Sequence, residues 1–213
     1  MGIQHESMKK IPNRITVSRI ILIFLFVVLA NFDGGPDPNP NCIIVNAKFA
    51  YVCHVIAYIL AIIAGLTDFL DGHLARKYHV ESDFGRLIDP LADKIFLLAT
   101  YIMMVDYRLV PAWILIVMLA REFMVTGLRT LASAKGIVIA ADKFGKIKTV
   151  LQMLALFIGG ASWLHLFGFN VLDKGSWMYA AWYILLILVA LVTVASGLSY
   201  FIRYRKLYFD STL

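Results

Sequence analysis

The stretch YILAIIAGLTDFLDGHLAR, residues 58–76, runs from an apolar segment into a pair of acids without a break. The stretch GRLIDPLADK, residues 85–94, does the reverse, with two acids leading into the next apolar run. A helix needs about 20 mostly apolar residues to cross a bilayer. By that measure the chain holds six candidate spans, at 15–32, 47–68, 88–106, 111–132, 147–168 and 178–202. The fold predicted is therefore all-α and polytopic, with six transmembrane helices and residues 1–213 forming one membrane domain.

Working outward, the composition agrees. The 213 residues are 61% hydrophobic and 16% charged, with a mean hydropathy of +0.78. Soluble domains run at about 45–50% apolar and about 25% charged residues, so a water-soluble fold of this size could not hide so much apolar surface. The formal charge of +6 does not point to nucleic acid, because no aromatic platform for bases accompanies it. Instead the basic residues fall in short gaps between apolar segments.

Those gaps alternate. Lys9, Lys10, Arg14 and Arg19 precede span one; Arg76, Lys77 and Arg86 lie between spans two and three. Arg129, Lys135, Lys143, Lys146 and Lys148 lie around the gap between spans four and five, and Arg203, Arg205 and Lys206 follow span six. The intervening gaps hold only Lys48, Arg108 and Lys174. Cytoplasmic loops carry the excess of Lys and Arg, which puts both termini in the cytoplasm and the loop DGGPDPNPN, residues 33–41, outside. No cleavable leader is evident before span one. Trp113, Trp163, Trp177 and Trp182 sit near predicted span ends, where an interfacial aromatic belt would place them. Cys42 and Cys53 form neither a disulfide framework nor a thiolate cluster; Cys53 reads as packing.

Asp68 and Asp71 are three apart, and Asp89 and Asp93 four apart, so each pair shares a helix face. A short basic turn between two antiparallel helices would bring all four together. A single acid pair at a span end is ordinarily a solvated helix terminus. Four converging carboxylates are another matter: a charge at the centre of a membrane helix costs about 2.5–3.5 kcal/mol on insertion scales, and cations relieve it. Oxygen donors alone suit Mg²⁺ or Mn²⁺ rather than zinc. Gly72 and Gly85 leave room for a ligand to approach the backbone, and Arg76 is placed to meet a phosphate oxygen. His73 and His79 read as interfacial or loop residues. Pro90 disfavours helix at Asp89 and predicts that span three starts or kinks there.

This stretch fits D-x₂-D-G-x₂-A-R-x₈-G-x₃-D-x₃-D without a departure and resembles the signature of the CDP-alcohol phosphatidyltransferase family. The resemblance implies two divalent ions, Mg²⁺ or Mn²⁺, held by Asp68, Asp71 and Asp89, with Asp93 as general base and further metal contact. It implies a CDP-linked lipid donor with CMP as leaving group, and a CDP pocket bordered by Gly72, Ala75, Arg76 and Gly85. It also implies an active site at the cytoplasmic face of a bacterial inner membrane, and it admits a homodimer.

Two further stretches bear on the acceptor. REFMVTGLR, residues 121–129, and GKIKT, residues 145–149, place Arg121 in an otherwise apolar run and Arg129, Lys146 and Lys148 near the predicted cytoplasmic boundary. An Arg121–Glu122 ion pair and ordinary positive-inside charge are the plainer readings; a cationic pocket for an anionic acceptor is the functional one. The R-E-x₆-R and G-K-x-K-T elements, with the opening IPNRITVSR, residues 11–19, resemble the phosphatidylglycerophosphate synthase branch of the family. That resemblance implies CDP-diacylglycerol as donor and sn-glycerol 3-phosphate as acceptor. Asn13 and Thr16 would border the nucleotide, and the four basic residues would meet the acceptor phosphate. The competing readings are another acceptor alcohol, such as inositol phosphate or serine, or a divalent-cation transporter. A transporter favours acids deep in several spans rather than clustered near one face.

Overall fold

The computed structural model describes residues 17–35, 39–78, 83–137, 139, 143–168 and 170–205, with the backbone alone at 67–78, 83–90, 93, 143 and 167. The chain divides into two compact units, Met1–Tyr107 and Arg108–Leu213.

In the first unit, α1 (Val17–Ala30) leads to a two-residue parallel pairing of β1 (Phe32–Asp33) with β2 (Ile43–Ile44). Then come α2 (Ala47–Tyr78) and α3 (Asp83–Asp106), and α2 packs against both β1 and α3. The apolar part of α2, Ala47–Leu66, is long enough to cross a membrane. The helix does not stop there. Its remainder adds roughly 18 Å at 1.5 Å per residue, so the whole D-x₂-D-G-x₂-A-R run is helical. Arg76 and Lys77, expected in a basic turn between the acid pairs, are thus helical in α2.

Of the two expectations for Pro90, a start or a kink of span three, α3 does not follow the first. It begins at Asp83 and passes through Pro90. Proline there removes the amide that would bond the Arg86 carbonyl, a cost outweighed by an inward stripe at Ala92, Phe96 and Thr100, all buried.

The loop joining α1 to α2 is tied down by its own side chains. Asp33 accepts from the backbone N–H groups of Gly34 (2.7 Å), Gly35 (3.2 Å) and Asn39 (2.8 Å). Asn39 and Asn41 donate in turn to the Asp106 carboxylate at 2.8 and 3.1 Å. Gly34 has no room for a side chain, since a Cβ would lie 2.5 Å from the Val45 carbonyl oxygen. Burial alone would push the Asp33 carboxyl up, but the three N–H donors outweigh it and hold it below the ordinary value. The carboxylate's contribution is therefore complete above the unfolded pKa of about 3.9 and is lost as pH falls through the lower, folded value. Asp33→Asn is expected to speed amide exchange at Gly34, Gly35 and Asn39 about tenfold at neutral pH, the loss of charge-assisted hydrogen bonds at a half-exposed site. Unchanged exchange would show that the loop holds without the charge.

In the second unit, α4 (Ala112–Ala134), α5 (Lys143–Trp163) and α6 (Trp177–Arg203) pack with α6 against both α4 and α5. Phe144–Trp163 and Trp177–Arg203 are long and apolar enough to cross a membrane. Among the described residues, three helices meet that measure, not the six expected. The described part of α1 is shorter, and α3 and α4 carry Asp93 and Lys94, and Arg121, Glu122 and Arg129, inside otherwise apolar stretches. Large apolar side chains on α6, among them Ile184, Leu191, Leu198 and Ile202, face outward, a surface that lipid would cover. Trp177 is 77% exposed, as a belt residue would be, but Trp182 is 2% exposed. Its indole N–H donates to the Leu109 carbonyl at 2.8 Å, so it is a core residue. Cys42 and Cys53 are buried free thiols.

Candidate active site

Register places the acids. Along α2 the buried positions Ala57, Ala61 and Ala64 are four and three apart, the spacing of one helix face. Continued by four and then three residues, the stripe reaches Asp68 and Asp71. Along α3 the buried positions Thr100, Phe96 and Ala92 form a stripe that leads back to Asp89 and Gly85, with Asp93 one turn before Phe96 and Leu97. α2 and α3 pack together, and by register Asp68, Asp71 and Asp89 continue the two buried stripes of these helices. The side chains of Asp68, Asp71, Ala75, Arg76, Asp89 and Asp93 lie outside the described residues, as do Asn13 and Thr16 altogether; Gly72 and Gly85 are helical in α2 and α3.

The second unit gathers the cations. Arg121 is 9% exposed and Lys148 6%, and both donate to the same Glu122 oxygen, Oε1, Arg121 at 3.1 Å. Arg121 also donates to Ser196 Oγ at 2.7 Å, while its Nε finds no hydrogen-bond partner among the described residues. The arginine occupies a slot between two glycines. A Cβ on Gly145 would lie 3.5 Å from Nη2, and one on Gly197 would lie 3.2 Å from Cγ. Arg129 reaches the same neighbourhood from the exposed side and donates to the Tyr200 hydroxyl at 2.9 Å. Its guanidinium carbon lies 5.5 Å from the Tyr200 ring centre, and that of Arg121 5.7 Å.

The structure thus brings three of the four predicted basic residues together. Lys146 stands apart, exposed on α5, and makes no ion pair among the described residues. The expected Arg121–Glu122 pair forms, joined by Lys148. Among the described residues one carboxylate stands against three cations, a net positive cluster, and Lys148 and Arg121 are buried against protein partners rather than solvent. Such a cluster suits an anion with several oxygens. Sequence reading missed Ser196, Gly197 and Tyr200, although the run SGLSY, residues 196–200, interrupts an apolar helix with small and polar residues, a visible signal.

Comparison with known proteins identifies the family. The family model described as CDP-alcohol phosphatidyltransferase matches residues 9–195. A Bacillus subtilis protein named CDP-diacylglycerol–glycerol-3-phosphate 3-phosphatidyltransferase is 40% identical over 196 residues, covering 91% of this chain and 94% of that protein. Proteins of the same name from Rickettsia typhi and Haemophilus influenzae are 30% and 33% identical. They are matched over 95% and 89% of this chain, and over 100% and 90% of their own lengths.

Proposed function

Because the chain belongs to the CDP-alcohol phosphatidyltransferase family, we propose that it transfers the phosphatidyl group of CDP-diacylglycerol to sn-glycerol 3-phosphate, giving phosphatidylglycerol phosphate and CMP. The reading is supported by the register of α2 and α3, two packed helices whose buried stripes, continued at helical spacing, reach Asp68, Asp71 and Asp89, with Asp93 one turn further along α3.

The donor set fits divalent cations: four carboxylates on two neighbouring helices, hard oxygen ligands for Mg²⁺ or Mn²⁺. Asp68, Asp71, Asp89 and Asp93 would hold two such ions, which when bound neutralise diphosphate charge as CMP leaves. The remaining work falls to the chain. Arg76 meets diphosphate oxygen, and Gly72, Ala75 and Gly85, with Asn13 and Thr16, border the nucleotide. Asp93 takes the proton from the acceptor hydroxyl. The hydroxyl oxygen bonds to the lipid-side phosphorus as the bond from that phosphorus to the CMP oxygen breaks, and no covalent enzyme intermediate is needed. Arg121, Arg129 and Lys148 hold the acceptor phosphate. Lys146, exposed nearby on α5, adds long-range attraction for it.

In this reading the protein is one integral membrane domain of six spans in a bacterial inner membrane. Both termini and the acids lie on the cytoplasmic side, where its soluble substrate is found. The positive-inside distribution supports that orientation.

The test supplies the reconstituted protein with CDP-diacylglycerol, Mg²⁺ or Mn²⁺ and, separately, glycerol 3-phosphate, inositol phosphate or serine, and measures CMP release. Release with glycerol 3-phosphate alone is expected. Absence of CMP with every alcohol would overturn the transferase, and release with inositol phosphate alone would overturn the acceptor.

A further inference from the structure

We propose that Tyr200 is a positioning residue for the acceptor phosphate: its ring gathers Arg121 and Arg129 into one anion-binding fork. The proposal rests on the reading that these arginines hold that phosphate.

Arg121 and Arg129 leave α4 more than two turns apart, roughly 12 Å along the helix axis. Two guanidinium groups at that spacing would ordinarily go separate ways, since each repels the other and each long side chain gains rotamer freedom in solvent. Here both turn toward one ring, their central carbons 5.7 and 5.5 Å from its centre. That is within the range, about 6 Å, at which the negative face of an aromatic ring attracts a cation.

The two arginines depend on the ring unequally. Arg121 has three other restraints: Glu122, Ser196 and the slot between Gly145 and Gly197. Arg129 is exposed, and among the described residues its side chain is held by Tyr200 alone, through the 2.9 Å hydrogen bond and the ring. The ring itself is fixed, 2% exposed and packed with Val125 and Leu128 of α4. Tyr200 therefore transfers the rigidity of the α4–α6 interface to an arginine that would otherwise be free. A guanidinium has five N–H donors, so one bond to the phenol oxygen leaves enough for a phosphate. Orienting Arg129 before the ligand arrives removes an ordering cost from binding.

The test uses the full-length protein in vesicles and compares KM for glycerol 3-phosphate, KM for CDP-diacylglycerol and kcat. Tyr200→Phe keeps the ring and the packing but not the hydrogen bond, and is expected to raise the acceptor KM about three- to tenfold. Tyr200→Leu also removes the ring face and is expected to raise it by about 30-fold. Inhibition by inorganic phosphate should weaken in parallel, with KM for CDP-diacylglycerol unchanged. Should Tyr200→Leu not fold, Tyr200→Phe decides alone. A fall in kcat or in folded yield with both KM values unchanged would make Tyr200 merely structural and overturn the proposal. Arg121→Ala and Arg129→Ala separate the two levels. If neither raises the acceptor KM, the acceptor reading itself fails. If they do and Tyr200→Phe does not, only the role of Tyr200 fails.

Discussion

Asp93→Asn is expected to slow CMP release by roughly 10²–10⁴-fold, the usual contribution of a positioned general base. The substitution keeps the size and one amide oxygen but cannot take up a proton at neutral pH. It should leave α3 intact, because the position belongs to a helix stabilised by Ala92, Phe96 and Thr100, and Asn tolerates a helix interior at a cost of only about 0.7 kcal/mol relative to Ala. Three carboxylates remain at 68, 71 and 89, so binding of Mn²⁺, read by calorimetry or electron paramagnetic resonance, should weaken without vanishing. That split distinguishes a base from an indispensable ligand. Wild-type turnover in the variant would remove Asp93 as the base, and complete loss of Mn²⁺ binding would recast it as a ligand first. Chelation of divalent ions from the wild-type protein should stop turnover reversibly, whereas the Asp93→Asn defect should persist at saturating metal.

What the sequence made legible follows from the range of the interactions involved. The acid pairs are local features: three- and four-residue spacings on helices fix a shared face whatever the tertiary fold. The apolar segments were equally plain, and helices lie at 47–78, 112–134, 143–163 and 177–203 close to where periodicity and hydropathy put them. The misplaced details are those decided by packing. Pro90 discourages helix locally, yet α3 passes through it, and the stripe ahead of it at Ala92, Phe96 and Thr100 is buried. Trp182 has the composition of a belt residue, yet the Leu109 carbonyl gives its N–H a partner inside. Lys146 and Lys148 are indistinguishable as charges in GKIKT, but two residues along a helix is a turn of about 200°, so Lys148 is buried beside Glu122 while Lys146 is exposed. The slot glycines and Tyr200 come from α5 and α6, and no local pattern links them to Arg121.

Glu122→Gln is expected to destabilise the protein by about 3 kcal/mol, near the lower end of the cost of breaking a buried ion pair, about 3–5 kcal/mol. Glu122 is the single carboxylate that both Arg121 and Lys148 engage. Without its charge, two buried cations lose the carboxylate that both engage, and a neutral amide oxygen takes its place. The 19% exposure of the Glu122 side chain lets solvent screen part of the loss, and Gln still accepts one hydrogen bond, which places the effect at the lower end. Thermal unfolding in detergent should show a clearly lowered midpoint. Adding Lys148→Met should recover much of that midpoint, since it removes one of the stranded charges while keeping an apolar stem of similar length, but it should not recover affinity for the acceptor. Stability and anion binding then separate at one carboxylate: Glu122 lowers the positive potential that would attract a phosphate, and in doing so makes it possible to bury the two cations that bind it. An unchanged midpoint in Glu122→Gln would mean that the cations are stabilised without it and would remove this coupling.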